Sequence, residues 1–293
     1  MLMVMKMNLG LCLAGGGIKG AAHVGALKAF EEAGITFQYI SGTSSGSIVA
    51  SLYAAGFSAD EIYFLFQKYC KKIKYVDFKS ILKGVSGLVF KRKFLMDGLN
   101  SGDVIEKIIG KACGQRGIYK IQDIKMPLLI PSVNLHTGEV YIFSSIAKRR
   151  AFSDEMKYIY DAPIGLAVRA SCSYPGVFSP CPYQNTELID GGIRENVPWR
   201  ETKAVGAEEV ISIVFEENVD NDCCKNIIEV GSRAIELLCH EIRSYDLQGA
   251  DHLIELKTPN VSLLDVSKIQ ELYQLGYQQI KEKISNKILL KKI

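Results

Sequence analysis

A serine set between two glycines is the first feature of the sequence that could carry out a reaction. Ser44 lies at the centre of Gly42-Thr43-Ser44-Ser45-Gly46, which has the G-x-S-x-G form of a nucleophile elbow. The turn in such an elbow is so tight that glycine is needed two positions before and after the serine. Ser45 and Ser47 are rival nucleophiles, but neither has glycine at both of those positions. A tight turn with Ser44 as an N-cap is the structural alternative.

A serine nucleophile needs a base, and the four histidines are the first candidates. They are His23, His136, His240 and His252. The order of an α/β-hydrolase triad would be met by Ser44, an acid and then His240 or His252. However, His240 lies within a long helical pattern and His252 begins a strand, whereas a catalytic histidine is expected on a loop. His23 fits a packed helix residue, and His136 fits a hairpin turn.

Asp190 offers a different base. It opens the stretch Asp190-Gly191-Gly192, which follows a short predicted strand. Two glycines let the backbone turn sharply, so that the carboxylate can approach another group closely. A carboxylate whose pKa is raised by burial can accept the proton of a serine hydroxyl near neutral pH. A plain D-G-G turn is the structural alternative.

A glycine-rich loop precedes the first predicted helix. Gly15, Gly17 and Gly20 have the G-x-G-x-x-G spacing of a dinucleotide-binding loop. That interpretation requires an acidic residue about 20 positions later, yet Phe37–Ser47 contains neither Asp nor Glu. Dinucleotide binding is therefore a weaker alternative, and a P-loop is excluded, because Ala21 stands where that motif has lysine. Free backbone N–H groups at a helix N-terminus still favour the binding of an anion.

Alternating strand-like and helix-like segments position these motifs. The predicted strands are Asn8–Ala14, Phe37–Ile40, Leu128–Val133, Glu139–Phe143, Glu187–Ile189, Val210–Phe215 and Leu253–Leu256. The predicted helices are Lys19–Ala33, Ser45–Ala55, Ala59–Tyr69, Ile164–Ala170, Lys225–Tyr245 and Ser267–Lys287. Asn134–Gly138 is a predicted hairpin turn. This alternation predicts an α/β fold with a mostly parallel sheet and helices on both faces.

The composition excludes several classes of protein. The chain has 293 residues, of which 48% are hydrophobic, enough for a sizeable core. A net charge of +3 is too small to indicate nucleic-acid binding. No apolar run reaches the roughly 18 residues that span a bilayer. None of the eight cysteines forms C-x-x-C or a zinc-like cluster, so no metal is expected, and free thiols favour a cytoplasmic location.

One basic segment, residues 68–93, departs from the rest of the chain. It contains nine Lys or Arg residues and a single acid, Asp77, with aromatic and aliphatic residues between them. A solvated insertion loop is the simpler interpretation. The alternative is peripheral contact with anionic lipid headgroups at the inner face of a membrane, because each lysine near such a surface contributes roughly 1 kcal/mol.

Four blocks of sequence together resemble the patatin-like phospholipases, and their bacterial members in particular. The blocks are Gly15–Gly20, Gly42–Gly46, Ala170–Pro180 and Asp190–Gly192, the last followed by Asn196-Val197-Pro198. They occur in the order of that family and span about residues 8 to 215. One departure is Lys19, where the family more often has arginine; the charge is kept, but the fork-like geometry is lost.

The resemblance implies a fold, an activity and a site. The expected fold is a three-layer α/β/α domain over residues 1–293, with helices at about 225–287 completing it. The expected activity is hydrolysis of a lipid ester, without cofactor or metal, by a dyad of Ser44 as nucleophile and Asp190 as base. Backbone N–H groups of Gly15, Gly16 and Gly17 would form the oxyanion hole, with the last two as the favoured donors. An acyltransferase and a catalytically inactive lipid-binding module are the alternatives.

Overall fold

The computed structural model describes residues 8–70, 98–147, 156–216, 227–261 and 265–286. The strands are β1 (Leu9–Leu13), β2 (Tyr39–Gly42), β3 (Gly98–Asn100), β4 (Leu128–Asn134), β5 (Val140–Ser144), β6 (Met156–Ile159), β7 (Gly176–Phe178), β8 (Cys181–Tyr183), β9 (Thr186–Asp190), β10 (Glu209–Phe215) and β11 (His252–Leu256). The helices are α1 (Gly20–Glu32), α2 (Ser45–Ala54), α3 (Ala59–Tyr69), α4 (Asp103–Gly114), α5 (Ile164–Ser171), α6 (Trp199–Ala204), α7 (Ile227–Asp246) and α8 (Ile269–Ser285).

The central sheet is mostly parallel, as predicted. Its strands follow the order β11-β10-β1-β2-β4-β5-β6 within the described residues. The first five of these are parallel neighbours. β5 pairs antiparallel with β4, which confirms the hairpin predicted around Asn134–Gly138. Both faces of the buried strands must therefore be covered by helices.

Successive residues of β1 show how the helices cover the two faces. Leu11 and Leu13 belong to the large core cluster that also contains the apolar residues of α1 and α2. Cys12 points the other way, into a second cluster with Trp199 of α6. All three strand residues are fully buried. Because side chains alternate across a strand, this division confirms three layers, with the sheet in the middle.

The strands β2 and β9 bring two distant parts of the chain together beside β4. β2 runs parallel to the first half of β4 and reaches Leu129. β9 runs antiparallel to the second half, where Asp190 pairs with Ser132. Since β5 occupies the other edge of β4, the carboxyl ends of β2 and β9 point toward each other. The segments that follow these two strands must therefore meet.

The C-terminal helix α8 packs directly on α1 through two glycines. A side chain at Gly25 would overlap the backbone carbonyl of Tyr273, and one at Gly276 would overlap the carbonyl of Ala22. Only glycine allows two helix backbones to approach this closely. The last helix is thereby fixed to the first one.

Several short elements were not predicted from the sequence. The strands β3, β7 and β8 have three residues each, too short to show a period-2 pattern. Helix α4 was also not predicted, although Ile105, Ile109 and Ala112 form its buried face. Most of the basic segment 68–93 lies outside the described residues. No helix in the described ranges is long and apolar enough to cross a membrane.

Candidate active site

The backbone at Ser44 has the strained geometry of a nucleophile elbow. Ser44 has φ 52° and ψ −123°, a conformation that costs free energy for a residue with a side chain. A side chain at Gly42 would collide with the carbonyl of Gly46, and one at Gly46 would collide with that of Leu13. The two glycines of the motif are therefore required by close backbone contacts. The elbow leaves Ser44 half-buried, between the end of β2 and the start of α2.

Two hydrogen bonds from distant segments hold this elbow in place. The backbone N–H of Ser44 donates to the Ser171 hydroxyl at 3.0 Å. The hydroxyl of Thr43 donates to the carbonyl of Glu195, also at 3.0 Å. Ser171 lies in the third block of sequence, and Glu195 follows the D-G-G stretch. The strained conformation is thus maintained by parts of the chain that also shape the rest of the site.

Asp190 lies at the carboxyl end of β9 and is 2% exposed. Its backbone N–H donates to the carbonyl of Ser173 at 3.0 Å. Its Oδ1 atom accepts a hydrogen bond from the N–H of Gly192 at 2.8 Å, which fixes the plane of the carboxylate. Burial raises the pKa of Asp190 to about 7, and hydrogen bonding from Ser44 and Gly192 opposes part of that rise. Asp190 can therefore exchange a proton near neutral pH.

The second carboxylate oxygen, Oδ2, is buried and has no well-formed hydrogen bond within the described part of the chain. The Ser44 hydroxyl is close enough to lower the pKa of Asp190, but it does not complete a hydrogen bond with good geometry. Such contacts in a free enzyme are often long and tighten when substrate binds. The arrangement leaves one oxygen of Asp190 available to receive a proton from Ser44.

The glycine-rich loop lies beside the elbow, as expected for an anion-binding loop. A side chain at Gly15 would lie 3.1 Å from Cβ of Ser44. The N–H of Gly15 already donates to Oδ1 of Asn196 at 2.8 Å. The N–H groups of Gly16 and Gly17 have no acceptor among the described residues. All three glycines are half-buried, and Gly17 has a positive φ of 57°, which favours glycine. The two N–H groups without an acceptor thus directly follow Gly15, the loop residue that lies against Ser44.

Three of the four histidines lie against groups other than Ser44. His23 is fully buried, and its Nε2 donates to the carbonyl of Ala14 at 2.9 Å. Burial lowers the pKa of His23 to about 4, so the ring is neutral and supports the strand that leads into the glycine loop. His252 begins β11, and its Nε2 lies 2.9 Å from Oε2 of Glu209. Nε2 of His136 lies 3.5 Å from Oε2 of Glu187.

Two supporting side chains, Ser171 and Asn196, were not assigned a role from the sequence. Both occur within the blocks that resemble the patatin-like family, and that is the signal that could have singled them out. Ser171 holds the amide of Ser44, and Asn196 holds the amide of Gly15. Within the described ranges no cluster of His, Cys, Asp or Glu has the geometry of a metal site.

Known proteins share this sequence pattern over most of the chain. The chain is 30% identical to the uncharacterized protein YqhO of Bacillus subtilis, over 90% of this chain and 93% of that protein. It is 29% identical to lysophospholipase NTE1 of Meyerozyma guilliermondii, over 92% of this chain. The chain spans only 19% of the length of that lysophospholipase.

A solved structure shares the fold. In the ExoU–SpcU complex from the type III secretion system of Pseudomonas aeruginosa, the match covers 96% of this chain and 51% of the other. The TM-score is 0.52 at 19% sequence identity, which shows similarity of fold alone. The model of the patatin-like phospholipase family matches residues 11–203, a range that contains the elbow, the glycine loop and the D-G-G turn. The chain therefore belongs to the patatin-like phospholipase family.

Proposed function

We propose that the protein is a serine hydrolase that cleaves carboxylic ester bonds of phospholipids or lysophospholipids through a Ser44–Asp190 dyad. The observation that carries this proposal is the free Oδ2 atom of a buried Asp190 beside a strained, half-buried Ser44. A hydroxyl with a nearby base of raised pKa is the arrangement that acyl transfer through a covalent intermediate requires. The name of the fungal relatives, lysophospholipase, supports a lipid ester as substrate.

The first half-reaction forms an acyl-enzyme. Oγ of Ser44 attacks the ester carbonyl carbon while Oδ2 of Asp190 takes the hydroxyl proton. The carbonyl oxygen becomes an oxyanion, which accepts hydrogen bonds from the N–H groups of Gly16 and Gly17. Each such donor typically lowers the barrier by roughly 3–4 kcal/mol. The alcohol then leaves with the proton from Asp190, and the acyl group remains on Ser44.

The second half-reaction releases the fatty acid. Asp190 removes a proton from a water molecule, which attacks the acyl carbon and passes through a second oxyanion on the same donors. Ser44 leaves with the proton held by Asp190, so that both residues return to their starting states. Gly15 has a supporting part in this scheme, because its N–H holds the loop to Asn196 rather than facing the oxyanion.

We also propose that residues 1–293 form one domain, completed by the C-terminal helices. The close contact of α8 with α1 supports this, because a core helix at one end of the chain packs on a core helix at the other.

We further propose that residues 68–93 make peripheral contact with anionic lipid, which their basic composition supports. Flotation with vesicles containing phosphatidylglycerol, compared with neutral vesicles, tests that contact.

The activity is tested by incubating the protein with lysophosphatidylcholine and phosphatidylcholine and measuring the fatty acid released. We expect release by the wild type, and at least a thousandfold slower release by Asp190→Asn, roughly as for other active-site residues that act as a unit. Ser47→Ala is the matched control and should retain activity.

A second set of reactions with added glycerol distinguishes hydrolysis from acyl transfer. If acylglycerol is the main product, the protein is an acyltransferase and the hydrolase proposal is wrong.

A further inference from the structure

An apolar cavity of about 50 Å³ lies between α2, α3 and α4. Side chains from all three helices line it, among them Ile48, Leu52, Leu65, Phe66, Ile108 and Ile109. A cavity needs only roughly 10–15 Å³ to admit a water molecule, but water is stable there only with several polar partners. Tyr69 and Cys70 also line the cavity, but the surface that faces it is entirely apolar. The cavity therefore has room for an apolar group and favours one over water.

The cavity begins one helical turn behind the nucleophile. Ile48 follows Ser44 by four residues, and its N–H donates to the carbonyl of Ser44 at 3.4 Å. Leu52 lies one turn further along α2, so the two residues form a continuous apolar strip on one face of the helix. A helical turn rises about 5.4 Å, similar to the length of four methylenes in an extended chain. The strip thus leads away from the reacting atoms, and the spacing of its two residues matches the length of a short alkyl segment.

The two other walls come from helices that have no part in the chemistry. Leu65 and Phe66 belong to α3, while Ile108 and Ile109 belong to α4. Leu65 and Ile108 are half-buried, whereas Phe66 and Ile109 are buried. The half-buried positions can accept a larger side chain at lower cost than the buried ones, since one side of each is open.

We propose that this cavity receives the acyl chain of the ester and sets its preferred length. The proposal rests on the proposed function, because the ester carbonyl must lie at Ser44 for its chain to follow α2 past Ile48 and Leu52. The ligand is a straight alkyl chain. A chain that carries hydroxyl groups would be excluded, because its polar atoms would be buried without partners. Each methylene that enters an apolar site changes a binding constant by about fourfold.

The first test compares the wild type with Leu65→Trp, which fills the cavity from α3. The measured quantity is the ratio of kcat/KM for p-nitrophenyl decanoate to kcat/KM for p-nitrophenyl acetate. We expect this ratio to fall by about tenfold or more, which corresponds to losing space for two methylenes. Phe64→Trp is the matched control on the same helix, because Phe64 is 59% exposed. Its ratio should equal that of the wild type.

A second filling variant keeps the test valid if Leu65→Trp fails to fold. Ile108→Phe fills the cavity from α4 and should lower the same ratio, again by about tenfold. Circular dichroism and thermal unfolding identify which variants are folded. An unchanged ratio in the folded filling variants would show that the cavity is a packing void and would overturn the proposal. An equal fall in Phe64→Trp would also overturn it, because the effect would not come from the cavity.

A binding measurement separates this proposal from the proposed function. The Ser44→Ala variant is titrated with cis-parinaric acid, a fluorescent straight-chain fatty acid, with and without Leu65→Trp. We expect the second substitution to weaken binding by about tenfold or more. If the wild type hydrolyses no ester but this loss is observed, the hydrolase proposal fails and the chain site stands. If esters are hydrolysed and binding does not respond to Leu65→Trp, the chain site is wrong.

Discussion

At the scale of single residues, most side chains around Ser44 hold backbone groups in place rather than react. Asn196 shows this most clearly: its side-chain Oδ1 accepts from the N–H of Gly15, while its backbone N–H donates to Oδ2 of Asp246 at 3.3 Å. Asn196 thereby connects the glycine loop to the segment that follows Asp190. We infer that it is a positioning residue for the two free N–H groups of Gly16 and Gly17.

Substitution of Asn196 should therefore reduce turnover more than binding. In Asn196→Ala the N–H of Gly15 loses its acceptor, and the loop no longer fixes the donors at their places. We expect kcat for a p-nitrophenyl ester to fall by about tenfold or more, with KM nearly unchanged, because misplaced groups cost mainly the transition state. Asn196→Asp retains an acceptor oxygen and should recover part of the loss. A rise in KM at constant kcat would contradict this role.

The pH dependence of activity follows from Asp190. Only its unprotonated form can accept the serine proton, and burial raises the pKa of Asp190 to about 7. We expect kcat/KM to rise about tenfold per pH unit below that value and to level off above it. The measurement is a pH–rate profile with an ester whose leaving group needs no protonation. A profile that is already flat well below neutral pH would exclude Asp190 as the base.

The sequence was sufficient to predict Ser44 and Asp190 as candidates but not the residues that hold them. The elbow motif and the D-G-G turn are local, so their residue types and spacing are visible in a short stretch. The hydrogen bonds of Ser171 and Asn196 instead join residues 127 and 181 positions apart. No local pattern specifies such a partner. Gly15 illustrates the same point, since the use of its N–H by Asn196 depends on the tertiary structure.

At the scale of elements, the site depends on two strands that end against the same neighbour. Strand β2 is parallel to β4 and β9 is antiparallel to it, so their carboxyl ends meet near Pro131. Gly191 permits this meeting, because a side chain there would lie 2.5 Å from the carbonyl of Pro131. The predicted bounds of most long helices and strands are confirmed. The direction of β9 could not be predicted, because periodicity defines a strand but not its partner.

The contact between α1 and α8 gives a prediction about stability. In Gly276→Ala the added methyl group overlaps the carbonyl of Ala22, so the two helices must separate. We expect the free energy of unfolding to fall by about 1–3 kcal/mol. Gly110→Ala is the matched control: it also lies within a helix, but a methyl group there meets nothing within 4 Å. It should be neutral or stabilising by up to about 1 kcal/mol.

Denaturant unfolding of both variants measures this difference. Equal stability of Gly276→Ala and the wild type would show that α8 is not held tightly against α1. It would also remove the support for a single domain completed by the C-terminal helices. Unfolding in two separate transitions in the wild type would contradict that proposal as well, because one domain of this kind should unfold cooperatively.

At the scale of the whole molecule, the composition predicted a globular protein with a sizeable core, and the alternation of segments predicted an α/β fold; the structure confirms both. The composition does not reveal that several acids are buried in the folded protein, among them Asp190, Glu195 and Glu201. Burial raises the pKa of Asp190 to about 7 and that of Asp246 to about 6. Burial, together with the charges of Glu201 and Asp246, also raises the pKa of Glu195. Such groups make stability depend on pH.

The direction of that dependence can be derived from the shifts. An acid whose pKa is higher in the folded state binds more protons there than in the unfolded chain, so its stabilisation is lost as pH rises through the folded value. His23 acts oppositely, because its pKa is lowered from 6.5 to about 4, and its effect is confined to that interval. Just above pH 6.5 the buried carboxyl groups contribute and His23 no longer does. We therefore expect the melting temperature to fall as pH rises from about 6.5 to 7.5, where the pH passes the folded pKa of Asp190.

Thermal unfolding of the wild type and Asp190→Asn across this range provides the test. The variant cannot carry the buried charge, so it should melt at a higher temperature than the wild type at about pH 7.5 and lose less stability above pH 6.5. Glu241→Gln, an exposed substitution on α7, is the control and should follow the wild type. A wild-type melting temperature that rises over this interval would contradict the assigned shifts.

The central claim is that Ser44 is the nucleophile, and active-site labelling tests it most directly. The protein is treated with a fluorophosphonate probe, digested, and the modified residue is located by mass spectrometry. We predict a single label on Ser44 in the wild type, Ser45→Ala and Ser47→Ala, and none in Ser44→Ala. A label on Ser45 or Ser47, or undiminished labelling of folded Ser44→Ala, would contradict the claim and with it the proposed dyad.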